Sequence, residues 1–409
     1  MKNKIFYGWY MLLGMTIMYA ATNGIAMYAF GVLRKMQAAQ TPSLGLDAQT
    51  QALLPSLLFL AVALVSPFMG SLIDRFDTKK IISIGAVLTV ALTFLHQFMT
   101  SYSGLVVIYV LFAVAMSMTG IISFMYLINK WFRKNIGLAA GILLLGSSLG
   151  GIIFPKIAAS AATWQSASNS LALVAAIFLL LPLFLIKNNP AEIGETRDGL
   201  PVSTQNTEGG QNTLEGLTLS AVLRTPAFYL VLLVTGILWF CINGYIQNHA
   251  FFMTDMGKNT SETAAILGTF SMMAILGKLL FGWLSDKFER TYIMILSISF
   301  MLISIFVLKM SQSDASLLSP FALIFGVGFG GSFSMIQIWV ADIYAGKNFG
   351  SILGVVTMVD TIAGSAGMLL IGSMRKASGS FDGGFNLMLG LCVLALIATF
   401  FIKQVFSKK

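Results

Sequence analysis

Apolar residues along the chain fall into twelve runs, each long enough to cross a bilayer and separated by short polar stretches. They lie near 6–33, 52–73, 80–98, 105–128, 136–157, 166–186, 226–251, 261–284, 291–309, 317–341, 349–373 and 384–402. Because a helix rises about 1.5 Å per residue, about twenty apolar residues span the hydrocarbon core of a membrane. The pattern predicts an all-α membrane protein with twelve transmembrane helices. The first run opens FYGWYMLLGM and continues apolar with no small-residue cleavage site before it, so it reads as a retained helix, not a removed leader. Between the sixth and seventh runs, residues 188–225 break the pattern. Their stretch NNPAEIGETRDGLPVSTQNTEGGQNTLEGLT, rich in Gly, Asn, Thr and Glu, cannot bury a core of its own. It reads as a cytoplasmic linker between an N-terminal six-helix bundle, 1–187, and a C-terminal one, 226–409.

The two bundles superpose in sequence. GSLIDRFDTKK, from Gly70, follows the second run, and GWLSDKFER, from Gly282, follows the eighth, an offset of 212. NIGLAAG from Asn135 and NFGSILG from Asn348 open the fifth and eleventh runs at an offset of 213. Two anchors at nearly one offset indicate a duplication into pseudo-symmetric halves. Parallel six-helix repeats of this kind point to a secondary transporter with its substrate site at mid-membrane between the halves. In each acid–base loop a Gly lets two helices approach closely. The Asp four residues later, Asp74 or Asp286, is then placed to accept charge-assisted hydrogen bonds from a neighbouring helix N-terminus. Gly70, Asp74 and Arg75, with Gly282, Asp286, Lys287 and Arg290, are the candidate gating residues, since breaking such contacts opens one face.

Composition sharpens this picture. Hydrophobic residues make up 57% of the 409 and charged residues 10%, which excludes a soluble globular protein, where charges run to about 25%. The net charge of +9 suggests a nucleic-acid partner only until the basic residues are sorted. Seventeen of the 25 Lys and Arg fall on the face that carries both termini, seven on the other, and Lys278 on neither. By the positive-inside rule the termini are cytoplasmic, and no nucleic acid is implied. The only cysteines, Cys241 and Cys392, sit inside apolar runs, leaving no disulfide framework and no metal cluster. A nucleophile–base pair, a phosphate loop and paired carboxylates at catalytic spacing are all missing, so neither an enzyme nor a cofactor is expected. Ion or substrate gradients are then the drive, across a cell inner membrane, with the lipid bilayer as partner and the chain as a monomer.

With these loops the chain resembles the major facilitator superfamily: GSLIDRFDTKK is similar to its signature loop after the second helix, and GWLSDKFER to the weaker second-half copy. FYGWY with FGVL (Phe30 to Leu33) in the first helix resembles the monocarboxylate transporter and oxalate/formate exchanger branch. So do KWFRKNIGLAAGILLLGSSLGG (Lys130 to Gly151) and LRTPAFYLVLL (Leu223 to Leu233). The resemblance implies the major facilitator fold, a small organic anion as substrate, and a proton or a second anion as the coupled partner.

Ionisable groups at membrane depth cost about 2.5–3.5 kcal/mol on insertion scales and mark candidate sites. Lys278 lies eight residues before Asp286, about 12 Å inside the cytoplasmic edge. Asp360 lies ten residues after Gly350, about 15 Å into the eleventh helix. Their repeat partners, Ser66 and Ser147, are uncharged, so the scaffold does not require either charge. The bland alternatives are a snorkelling lysine and a carboxylate that merely neutralises it. The resemblance implies that Lys278 stands where the branch carries an Arg that binds the substrate carboxylate. Lysine is a point charge without the bidentate fork, so other groups must orient the anion. Ala274 occupies a position where several relatives have Asp, and Met27 and Tyr28 the neighbourhood of the branch's first-helix lysine. Tyr28 is therefore a candidate substrate contact, as is His249, near which some relatives carry a substrate-contacting His. The tenth helix adds Phe333 and Gln337 after four closely spaced glycines, with Phe333 a further candidate and plain helix packing the alternative.

The function expected is secondary active transport of a small organic anion, a lactate-like monocarboxylate moved with a proton by alternating access. Lys278 binds the carboxylate, and Asp360 either carries the proton or compensates Lys278 when the site is empty. The alternatives are a carboxylate:carboxylate exchanger of the oxalate/formate type and a proton-coupled exporter of apolar or cationic compounds.

Overall fold

The computed structural model describes residues 5–44, 46, 48–199, 217–346 and 348–406. Lys2, Lys4, Lys347, Lys408 and Lys409, and 200–216 of the expected linker, lie outside the described residues. Among the described residues there are helices and no strands, and twelve helices are long and apolar enough to cross a membrane. They are α1 Gly8–Gln40, α2 Leu53–Arg75, α3 Thr78–Phe98, α4 Tyr102–Trp131, α5 Ile136–Ala159 and α6 Trp164–Phe184. The rest are α7 Pro226–Ile246, α8 Thr260–Lys287, α9 Arg290–Ser311, α10 Ala315–Tyr344, α11 Phe349–Ser378 and α12 Asp382–Ile402. The spans read from hydropathy agree within three residues except at three ends, one of them the end of α11, which runs on to Ser378. α1 runs on to Gln40, because its polar end is built from residues that are themselves good helix formers. α7 stops at Ile246, and His249–Asp255 form a separate short helix.

The chain divides into two compact units, residues 1–216 with 345–355, and 217–344 with 356–409. In the first unit, α1 packs on α5 where Gly150 leaves no room for a Cβ against the Ala20 carbonyl. This is the use of the spaced glycines of the fifth helix. α1 carries a π-helical turn, Gly24–Ala29, and Tyr28 lies on it. Such turns open the backbone ladder and occur often at functional sites.

The first part of the expected linker is not free chain. Residues 188–199 form two short helical turns docked on the first unit. Glu195 accepts from the Tyr7 backbone N–H at 3.1 Å, and Arg197 reaches the Phe132 carbonyl at 3.2 Å and the Asn129 carbonyl. Asp198, whose φ of 60° is in the left-handed region that Asp tolerates, accepts from the backbone N–H groups of Arg133 and Lys134 at 3.0 Å. Composition missed this because polar side chains that cannot build a core still cap and fasten the ends of helices that have one.

In the second unit, α8 begins with a capping box. Asn259 Oδ1 accepts from the Glu262 N–H at 2.9 Å, and Glu262 Oε2 from the Asn259 N–H at 3.0 Å. The glycines of α10 serve close packing. A Cβ at Gly330 would fall on the Ala274 carbonyl and one at Gly277 on the Val327 carbonyl, so α8 and α10 touch backbone to backbone. Cys241 on α7 and Cys392 on α12 are buried neighbours, their sulfurs 3.8 Å apart.

Candidate functional site

In the second unit the close approach of α8 and α10 sets the place of Lys278. Its side chain is 2% exposed, so it does not snorkel to the surface. The ammonium rests 5.1 Å from the centre of the Phe333 ring, a cation–π distance. Ser334 ties the two helices at this level by donating to the Lys278 carbonyl at 3.3 Å. Phe333 is itself buried and meets Trp239 of α7 edge-on, the rings 5.4 Å apart. Lys278 and Phe333, proposed separately from sequence, are thus brought together.

Asp360 on α11 is 3% exposed and has the Thr235 side chain of α7 as its hydrogen-bond neighbour. Its Oδ1 makes no hydrogen bond among the described residues. Two more buried atoms nearby lack partners among the described residues, the Trp239 Nε1 and the Gln337 Oε1. Gln337 follows Phe333 by one helical turn, and Trp239 follows Thr235 by one.

His249 is buried and held through both ring nitrogens. It is 3% exposed, Tyr245 O–H lies 2.7 Å from its Nδ1, and Nε2 is 3.0 Å from the Thr263 carbonyl. A carbonyl only accepts, so Nε2 carries the proton and Nδ1 accepts from Tyr245. Both ring nitrogens are engaged inside the protein, at a residue for which the sequence suggested a substrate contact. His249→Ala is expected to cost about 2 kcal/mol or more of stability, because it strands the buried Tyr245 hydroxyl. The uptake KM should keep its wild-type value, and a KM change larger than the fall in melting temperature accounts for would restore the substrate role.

In the first unit, Tyr28 is 46% exposed and lies against Gly151. Asp74 accepts three hydrogen bonds, from the N–H groups of Gly350 at 2.8 Å and Ser351 at 2.7 Å and from the Ser351 hydroxyl at 2.6 Å. The carboxylate therefore caps the N-terminus of α11, the arrangement expected of the loop. Gly70 and Gly350 face each other so closely that a Cβ on Gly70 would lie nearer than 3.0 Å to the Gly350 carbonyl oxygen. Arg75 is exposed. Beyond it, burial raises the proton affinity of Asp77, but hydrogen bonds from the Lys80 N–H and the Asn188 amide outweigh that and hold its carboxyl below the ordinary range. In the duplicate loop Gly282 is buried, Lys287 lies over the Trp283 ring at 5.9 Å, and Arg290 forms an ion pair with Asp342. Asp342 meets Arg290 where α9 packs on α10.

The chain matches the profile of the Major Facilitator Superfamily over residues 6–260 and 250–409. The protein belongs to that superfamily. Among its curated relatives, the uncharacterized transporter YcxA of Bacillus subtilis is 27% identical over 328 residues, covering 76% of this chain and 75% of its own. The phosphoglycerate transporter protein of Salmonella typhimurium is 27% identical over 403 residues, covering 90% and 85%. The agnestins efflux protein of Paecilomyces divaricatus is 24% identical over 335 residues, covering 80% and 71%. The names of these relatives do not mention monocarboxylates or oxalate. The fold agrees with solved members. The proton:xylose symporter XylE bound to 6-bromo-6-deoxy-D-glucose superposes with a TM-score of 0.76 at 14% identity, over 96% of this chain and 94% of that one. The human organic anion transporter MFSD10 gives 0.74 at 15%, over 95% and 98%.

As a superfamily member the protein is a multi-pass membrane transporter of small molecules. Sequence reading did not single out Trp239, Thr235 or Ser351. Nothing marks an aromatic or a hydroxyl in an apolar run until a neighbour is known. The repeat did hold a hint of Ser351, since it lies in NFGSILG, one of the two anchors.

Proposed function

We propose that the protein is a secondary active transporter of small organic anions, and that its substrate is a monocarboxylate moved with a proton by alternating access. One observation carries the reading: an ammonium, that of Lys278, is held 2% exposed at membrane depth beside an aromatic face. Keeping a cation there is costly, and its duplicate position holds an uncharged Ser66, so the fold alone does not account for it. The motifs shared with the monocarboxylate transporter and oxalate/formate exchanger branch supply the substrate class. In this reading Lys278 receives the carboxylate against Phe333, and Tyr28 is a separate candidate for substrate contact in the first unit. Asp360, with one oxygen unpartnered, takes the coupled proton or balances Lys278 when the site is empty. Asp74 and its bonds to α11 act as a gate at the cytoplasmic edge, where the termini also lie.

The test is uptake of radiolabelled lactate, formate and oxalate into proteoliposomes carrying the purified chain as a monomer, with and without an inward proton gradient. Lactate uptake stimulated by the gradient is the expected result. Gradient-independent exchange of oxalate for formate would move the protein to the exchanger class, and no movement of any carboxylate would remove the assignment. A phosphorylated anion is the second reading, favoured by the kinship with a phosphoglycerate transporter. A lysine serves phosphate as readily as carboxylate, so phosphoglycerate belongs in the same panel.

A further inference from the structure

The Lys278 ammonium lies over the Phe333 ring and the Trp239 ring packs against it at a steep angle, while Gln337 stands one turn along the same helix as Phe333. Trp239 and Gln337 each end in a buried atom without a partner among the described residues, a donor at Trp239 Nε1 and an acceptor at Gln337 Oε1. Gln337 as a whole is 3% exposed. Buried polar groups are seldom left unpaired, because each loses its hydrogen bonds to water and gains nothing in return. One unpaired donor and one unpaired acceptor beside a cation define a complementary ligand. It carries an anion for the ammonium, and near it a group that both accepts and donates. A hydroxyl does both. A keto oxygen only accepts and would leave Gln337 Oε1 stranded, and an ammonium only donates and would strand Trp239.

We propose that Trp239 and Gln337 form a hydroxyl subsite that makes the protein select hydroxylated organic anions over their deoxy counterparts. The inference rests on the anion reading of Lys278 and narrows it. It also supplies the orientation that a lysine, a point charge, does not give. The indole N–H donates to the substrate hydroxyl, whose own proton goes to the Gln337 amide oxygen, while the carboxylate lies toward Lys278. A substrate lacking the hydroxyl leaves both buried atoms unsatisfied, and sites built to bind a hydroxyl reject analogues without one far more strongly than apolar pockets reject a missing methylene.

The experiment is competition against a transported anion in proteoliposomes, comparing two pairs matched in chain length, glycolate with acetate and lactate with propionate. The wild type should favour the hydroxylated member of each pair at least about tenfold in half-inhibiting concentration. In Trp239→Phe and Gln337→Leu that ratio should fall toward one. The ratio is the readout because poor folding or slow turnover lowers both members alike and leaves it unmoved. Equal inhibition by both members in the wild type overturns the subsite, showing that water fills it, while the anion reading stands. A ratio kept at its wild-type value in both variants also overturns it. No competition by any of the four acids removes the anion reading and the subsite with it.

Discussion

Replacing Lys278 with alanine should abolish carboxylate uptake. In the proposed site, the ammonium is the group that distinguishes an anion from a neutral molecule of the same shape. Truncating one partner of a buried charge pair costs about 3–5 kcal/mol, because the carboxylate must then enter a poorly hydrated interior with nothing to replace its water. At about 1.4 kcal/mol per tenfold, that is at least a hundredfold loss of affinity. Lys278→Met separates charge from bulk, since it keeps a long flexible chain beside Phe333 and lacks the ammonium. Both variants should remain folded by melting temperature in detergent. Lys278→Arg should retain part of the uptake, because it keeps the charge but brings a planar fork to a place packed for a point charge. The measurement is equilibrium binding of labelled substrate beside initial-rate uptake. Undiminished uptake in Lys278→Met would mean that the lysine is structural and that the substrate anion is held elsewhere.

Gly70→Ala is expected to disrupt the start of α11. A single methyl at this position would lie within 3.0 Å of the Gly350 carbonyl, and the obstacle is backbone, which cannot rotate away. The two helices must separate, and the three hydrogen bonds that Asp74 accepts from Gly350 and Ser351 lengthen with them. Overpacking alone costs about 1–3 kcal/mol, and weakening a charge-assisted cap adds to it. The expected outcome is a melting temperature lowered by about 5 °C or more, taking about 2–4 °C per kcal/mol for a unit of this size. Asp74→Asn should be milder, since an amide oxygen still accepts from the helix N-terminus although the charge is gone. Gly268 and Gly390 are the controls. Both lie inside membrane helices with nothing within 4 Å of a built Cβ, so alanine there should leave stability equal or slightly raised. If Gly70→Ala melts with the wild type while Gly268→Ala does not, the packing of α2 on α11 described above is wrong.

The architecture was legible before any coordinates because a bilayer simplifies the problem. A segment in hydrocarbon must satisfy its own backbone groups, so length and hydropathy alone mark each helix. Legible too was the duplication, since Gly70 and Gly282 begin copies of one loop, and so was the role of Asp74 as acceptor for a helix N-terminus. The errors occur where polar side chains act on backbone from a distance in sequence. Arg197 and Asp198 fasten a stretch that composition assigned to free linker. His249 shows the same dependence. Its residue type and place suggested a ligand contact, while its use depended on Tyr245 and Thr263.

What the sequence by itself determined is the set of twelve spans, their repeat, and the two costly charges inside them, because each follows from residue type and spacing along one helix. Only the tertiary structure decided which side chains meet across helices. It placed the Lys278 ammonium over Phe333, gave Asp360 Thr235 as its neighbour, and left buried atoms of Trp239 and Gln337 without partners among the described residues. Inside a membrane every helix face is apolar enough to be lipid or core. Hydropathy therefore cannot tell which face turns inward, and backbone contacts such as those of Gly277 and Gly330 make that choice.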